Sequence, residues 1–408
     1  MAAGVANASQ RGSVHTPAVT PGSPNLAVEL GARAAVVCCG SGGVGKTTVS
    51  AALAMGIVAE YDKRVMVLTI DPARRLAAAL GLHAVGPDPI SVPAARLRRA
   101  GLRPRGELVA AMLDQKSTWD RMVERHAPTR QAAERILANR FYQGISTAFN
   151  GSQEYAAMEA LYELHSGGEY DCVVVDTPPS RSALDFLEAP DRVNDFVGGR
   201  LLSWLAGPSR LGWRAVNLAA TPFLRMADRL LGADVLRELG EFVRDLQGLY
   251  DGVQQRSRRV KSLLRSADTA FAVVTTLEPL PFAEAEFFCQ RLREEAMPLG
   301  AVVVNRLLPG DLLDGRAADA AGFLVEHPRA GAAWLSEAAG ERVTADTSRR
   351  LGAAFLTLHQ LAVRDDRQVA RLTHFGSLPL ARLPLADREV VDIEGLATLT
   401  AVLRGNSA

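Results

Sequence analysis

Residues Gly40 to Thr47 read Gly-Ser-Gly-Gly-Val-Gly-Lys-Thr, an ungapped match to G-x-x-x-x-G-K-[ST]. The flanks turn this match into a fold constraint. Upstream, Ala34-Ala35-Val36-Val37-Cys38-Cys39 is a short apolar run that reads as a buried strand. Downstream, the stretch from Thr47 to Met55 reads as a helix. Strand, glycine loop and helix in that order make a cradle for phosphate. The glycines let backbone N–H groups crowd an anion, and the helix N-terminus adds partial positive charge. The predicted contacts are Gly40, Gly42, Gly43, Val44 and Gly45 in the loop, then Lys46, Thr47 and Thr48 at the helix start. Lys46 is expected to reach the β- and γ-phosphates of a nucleotide, and the Thr47 hydroxyl to ligate Mg²⁺.

The basic residues sharpen this reading. Of 46 Lys plus Arg, only Lys46, Lys63, Lys116 and Lys261 are Lys. A compact ammonium is kept in the one slot where a planar guanidinium does not suit the loop.

Net charge is +1, and nothing in it argues for nucleic acid or an anionic membrane surface, so no nucleic-acid partner is expected. No basic leader followed by an apolar core opens the sequence, and no uncharged apolar run approaches the ~20 residues of a membrane helix. A cytoplasmic protein is the simplest expectation. Cys38, Cys39, Cys172 and Cys289 form no C-x-x-C pair and read as core residues. Neither zinc nor an iron–sulfur cluster is expected.

Residues 1–30 are rich in small and polar residues and are expected to be a flexible tail. Residues 31–408 then alternate short apolar runs with helical patterns. The predicted strands are Ala34–Cys39, Arg64–Ile70, Leu108–Leu113, Asp171–Asp176, Thr269–Thr276, Ala301–Asn305 and Leu378–Leu383. Most are continuously apolar, as in a parallel sheet covered on both faces. The expected class is α/β, a doubly wound, mostly parallel sheet. Helical insertions are expected at about 116–165 and 191–265. In the second, Val235, Leu239, Phe242, Leu246, Leu249 and Val253 recur at helical spacing. The preceding Phe196–Leu231 is apolar and interrupted by Pro208 and Pro222. It reads either as core or as an exposed surface for a hydrophobic client.

Two strand ends carry further chemistry. Ile70-Asp71-Pro72-Ala73 places Asp71 at a strand's carboxyl end, where ligands bind in such sheets. Asp71 could position an attacking water, or simply cap the next helix. Four apolar residues before Asp176 make it a candidate Mg²⁺-shell carboxylate, and Thr177-Pro178-Pro179 follows as a turn able to sense the γ-phosphate.

Gly40–Thr47, Asp71-Pro72-Ala73 and Asp176-Thr177-Pro178-Pro179 together resemble the arsenical-pump and guided-entry ATPases. The likeness extends to Val304-Asn305-Arg306 and Leu383-Pro384-Leu385. It implies a P-loop ATPase that binds ATP and ADP with Mg²⁺, the metal held by Thr47, Asp71 and Asp176. It implies Asp71 and Lys46 as catalytic residues, Asn305 bonded to the adenine and Pro384 in the purine pocket. It also implies a nucleotide-dependent dimer, serving either delivery of tail-anchored membrane proteins or an arsenite pump.

Ser41 departs from the pattern. The family loop carries at this position a Lys that reaches the partner's nucleotide. Its absence suggests a heterodimer with a paralogue that supplies the Lys, a substitute such as Arg74, Arg75 or Arg181, or slow hydrolysis. Two other roles stay open: a nucleotide-binding scaffold with little turnover, and a partitioning-type ATPase.

Overall fold

The computed structural model describes residues 24–70, 75–82, 84–148, 152–177, 233–372, 378–386 and 388–405. Its strands are β1 (Ala35–Cys39), β2 (Arg64–Thr69), β3 (Ile90–Ser91), β4 (Glu107–Met112), β5 (Cys172–Asp176), β6 (Thr269–Thr275), β7 (Leu299–Leu307) and β8 (Leu380–Pro384). They form a single sheet in the order β3-β4-β2-β5-β1-β6-β7-β8. All pair in parallel except β3, which is antiparallel to β4. The doubly wound sheet expected from the sequence is present, and its seven parallel strands are those expected, with ends moved by one or two residues. Strand β3 escapes sequence reading because it is two exposed residues long.

The central strands β1, β5 and β6 are almost wholly apolar because both of their faces are buried. Val37, Cys39, Val173, Val175 and Phe271 enter one core, while Val36, Cys38, Cys172, Val174 and Ala272 enter the other. Successive side chains of a strand point to opposite faces, so a sheet covered twice has no polar period.

The helices are α1 (Leu26–Gly31), α2 (Lys46–Glu60), α3 (Arg75–Ala79), α4 (Ala94–Arg99), α5 (Gln115–His126), α6 (Arg130–Ala138), α7 (Arg140–Ala148), α8 (Ser152–Gly167), α9 (Ala233–Arg265), α10 (Pro279–Glu294), α11 (Gly315–Glu326), α12 (Pro328–Ala339), α13 (Ala345–Leu372) and α14 (Ile393–Leu403). Helix α2 lies between the sheet and α1 and α14, and is apolar on nearly every side. The Thr400 hydroxyl donates to the Ala52 carbonyl at 3.0 Å, tying α14 to its middle. Helix α1 falls within the span expected as a tail, yet Leu26, Ala27 and Leu30 are buried. The Asn25 side chain caps it by accepting from Val28 N.

On the other face, α5 to α8 occupy the first expected helical stretch. Asp114 caps α5 and Thr129 caps α6. The 33-residue α9 realises the second periodic pattern, with Phe242, Leu249 and Val253 buried. The apolar span Phe196–Leu231 lies outside the described residues. Helices α8 and α9 are joined by a buried ion pair, Arg256 Nε to Glu159 Oε1 at 2.7 Å. The Arg256 guanidinium also lies 3.9 Å from the centre of the Tyr162 ring.

Candidate nucleotide-binding site

The glycine loop runs from the end of β1 to the start of α2, with β5 and β6 on either side of β1. Two glycines are required by geometry. A Cβ on Gly40 would stand 2.0 Å from the Val274 carbonyl of β6, so the loop can leave the sheet only through glycine. Gly45 has φ +96° and sits at the N-cap of α2.

Lys46 opens α2 and is 6% exposed. A buried ammonium needs several acceptors, and its Nζ donates to the carbonyls of Gly40 at 3.0 Å and Ser41 at 2.9 Å. The side chain thus curls over its own loop. The Ser50 hydroxyl, one turn on, donates to the Lys46 carbonyl.

The Thr47 hydroxyl donates to Asp176 Oδ2 at 2.7 Å. The same oxygen accepts from the Thr69 hydroxyl at 2.9 Å. Asp176 is 1% exposed. Parallel pairing of β2 with β5 sets Thr69 opposite Asp176, which explains the second bond. The Thr177 hydroxyl donates to the Cys38 carbonyl at 2.9 Å, holding the turn after β5 against β1. Asn305, near the end of β7, donates from Nδ2 to the Val44 carbonyl at 2.8 Å.

Beside these groups lies a cavity of about 810 Å³, ample for a nucleotide. Gly43, Gly45, Lys46, Thr47 and Thr48 line it from the loop side, and Thr177, Asn305 and Pro384 from elsewhere. The structure therefore gathers most of the sequence-predicted residues at one place. Gly40, Gly42 and Val44 shape the loop without lining the cavity. Asp71, Arg74, Pro178 and Arg181 lie outside the described residues.

The sequence reading missed Thr69, Arg388 and Val390, and it gave no role to Arg306, which it quoted only within a motif. Arg306, Arg388 and Val390 line the cavity. Thr69 is signalled only by being the polar end of an apolar strand. Arg388 and Val390 follow β8 in a segment without periodicity.

These donors suit a magnesium-bound triphosphate. A loop of backbone N–H groups and an ammonium serve the phosphates, and a hydroxyl beside a carboxylate serves a hard cation. The cysteines do not take part. Burial pushes the Cys38, Cys172 and Cys289 thiols up to about 12, so they stay protonated near neutral pH. No helix among the described residues is long and apolar enough to cross a membrane.

Sheet order, glycine loop and strand-end carboxylate define a P-loop nucleotide-binding protein of the α/β class. The chain belongs to the Anion-transporting ATPase family, whose model matches residues 33–320. It is 27% identical over 272 residues to the ATPase get3 of Schizosaccharomyces japonicus, covering 66% of this chain and 73% of that one. It is 24% identical over 275 residues to a protein of Aquifex aeolicus named as an arsenical pump-driving ATPase, covering 66% and 79%. It is also 27% identical over 298 residues to the ATPase ARSA1 of Chlamydomonas reinhardtii, covering 68% and 35%.

Proposed function

We propose that the chain binds ATP with Mg²⁺ in the cavity beside the glycine loop, hydrolyses it, and couples nucleotide state to a hydrophobic client through its helical layer. The observation that carries this is the convergence of the Thr47 hydroxyl and the Asp176 carboxylate, 2.7 Å apart, next to the buried Lys46. Thr47 and Asp176 are the residues to hold Mg²⁺, with Asp71 a further contributor, partly through water. When bound, the ion supplies charge neutralisation at the transferred phosphoryl group. Lys46 binds the β- and γ-phosphates, and the loop N–H groups orient them. Asp71 positions the attacking water. Pro384 packs against the purine.

Ser41 favours slow turnover in isolation. Its side chain brings no cation to the transition state, and loss of one such cation costs several powers of ten in rate in other phosphoryl-transfer enzymes. We therefore propose a dimer, completed by a paralogue whose loop carries the missing Lys. Relatives named get3 and arsenical pump-driving ATPase support a targeting or transport partner for the helical layer. The reading as a scaffold with little turnover draws on the same Ser41.

The test is Mg²⁺-dependent ATP hydrolysis by the pure chain, alone and mixed with the paralogue. Low activity that rises on mixing, and falls in an Asp71→Asn variant that still binds ATP, is the expected result. Full activity in that variant would overturn the assignment.

A further inference from the structure

Asn305 is 8% exposed, and both ends of its amide are engaged by the protein. Nδ2 donates to the Val44 carbonyl at 2.8 Å, and Oδ1 accepts from the Arg306 backbone N–H at 2.9 Å. These partners fix the amide's orientation, because a flipped amide would set oxygen against the Val44 oxygen. The backbone around it is unusual. Arg306 has φ +62°, one of two non-glycine residues with positive φ among those described. The β7–β8 register shifts between Val304 and Leu307. A bulge is thus held at the point where Asn305 meets the loop, and such strain persists only when the surroundings enforce it.

Val44 C=O and Gly45 N–H belong to one planar peptide. No peptide among the described residues is cis, so the two groups point in opposite directions. Anchoring the carbonyl at Asn305 therefore fixes the direction of the Gly45 N–H. The Val44 side chain is 1% exposed, so this peptide is held at two points. Nδ2 also lies against Gly45, where a Cβ would stand 2.4 Å from it.

We propose that Asn305 is a positioning residue for the phosphate loop, a latch from β7 that orients the Val44–Gly45 peptide for phosphate whatever base the nucleotide carries. The inference rests on the nucleotide reading above and deepens it. A latch and a base reader make opposite predictions. Removing a base reader weakens the matching nucleotide alone. Removing a latch weakens every ligand that bears the triphosphate.

The experiment measures affinities of the full chain for Mg·ATP, Mg·GTP and magnesium tripolyphosphate, using wild type, Asn305→Ala and Asn305→Asp. The expected result is a loss of about tenfold for all three ligands in Asn305→Ala, the scale of one hydrogen bond. Asn305→Asp should lose at least as much, since a carboxylate repels the Val44 carbonyl. Weaker ATP binding with unchanged GTP and tripolyphosphate binding would overturn the latch, as would no loss at all. Hydrogen exchange without ligand gives a second readout. Amides 40–46 should exchange faster in Asn305→Ala while β1 and β6 keep their protection, and unchanged loop exchange would overturn the proposal. Failure of the wild-type chain to bind any of the three ligands overturns the nucleotide reading and the latch with it. That outcome is recognisable before any substitution is made.

Discussion

The Thr47 hydroxyl donates a 2.7 Å hydrogen bond to Asp176 Oδ2, joining the first turn of α2 to the end of β5. The carboxylate is shared with Thr69, so helix and two strands meet at one oxygen. Asp176→Asn keeps an acceptor for both hydroxyls and removes the charge. It should leave the melting temperature within a few degrees and lower kcat about a hundredfold or more, with Mg²⁺ affinity reduced. Steady-state kinetics against a Mg²⁺ titration check this.

Ser41 stands second in the glycine loop and brings no charge to it. If the missing ammonium limits turnover, Ser41→Lys should raise ATP hydrolysis by the isolated chain at least tenfold. The gain should appear at concentrations where the chain self-associates and fade on dilution. A concentration series of initial rates measures both.

The buried pair Glu159–Arg256 sets a stability prediction. Arg256→Met leaves the buried Glu159 carboxylate with only the half-exposed Arg125, 3.8 Å away, and should cost about 3 kcal/mol. Replacing both residues with Met should cost much less, because no charge is then left in the core. Burial holds the Glu159 carboxyl above its ordinary range, opposed by Arg256. A raised carboxyl binds its proton more tightly in the folded state, so it lowers stability as pH rises through the folded value. The defect of Arg256→Met should therefore shrink on acidification. Denaturant midpoints across pH check both statements.

The four thiols are buried. With the Cys38, Cys172 and Cys289 thiols pushed up to about 12, and Cys39 raised well above its ordinary value, little thiolate exists near neutral pH. A disulfide reagent at pH 8 should react slowly with the native chain and rapidly with four thiols in guanidinium. Fast native labelling would mean that β1, β5 or α10 opens readily.

How far the sequence led differs by element. The parallel strands were legible because burial on both faces leaves unbroken apolar runs such as Val173–Val175, and the loop because Gly40 and Gly45 meet demands no other residue satisfies. Helices α11 to α13 were not legible. They pack partly through small residues, with Gly352 so close to the Ala321 carbonyl that a Cβ would stand 2.4 Å away. Asp176 was legible as a strand-end carboxylate and Asn305 only through the family resemblance, and the bonds they make were not legible. The Val44 carbonyl, 261 residues before Asn305, becomes its partner only through the order β1-β6-β7.

The central claim is that Lys46 and its loop bind the triphosphate of Mg·ATP. Calorimetric titration of the pure chain and of Lys46→Ala tests it most directly. The account predicts saturable binding to wild type and a loss of about a hundredfold or more in the variant, as expected for removing a buried charge from a phosphate. No heat of binding with wild type, or equal affinity in the variant, would contradict it.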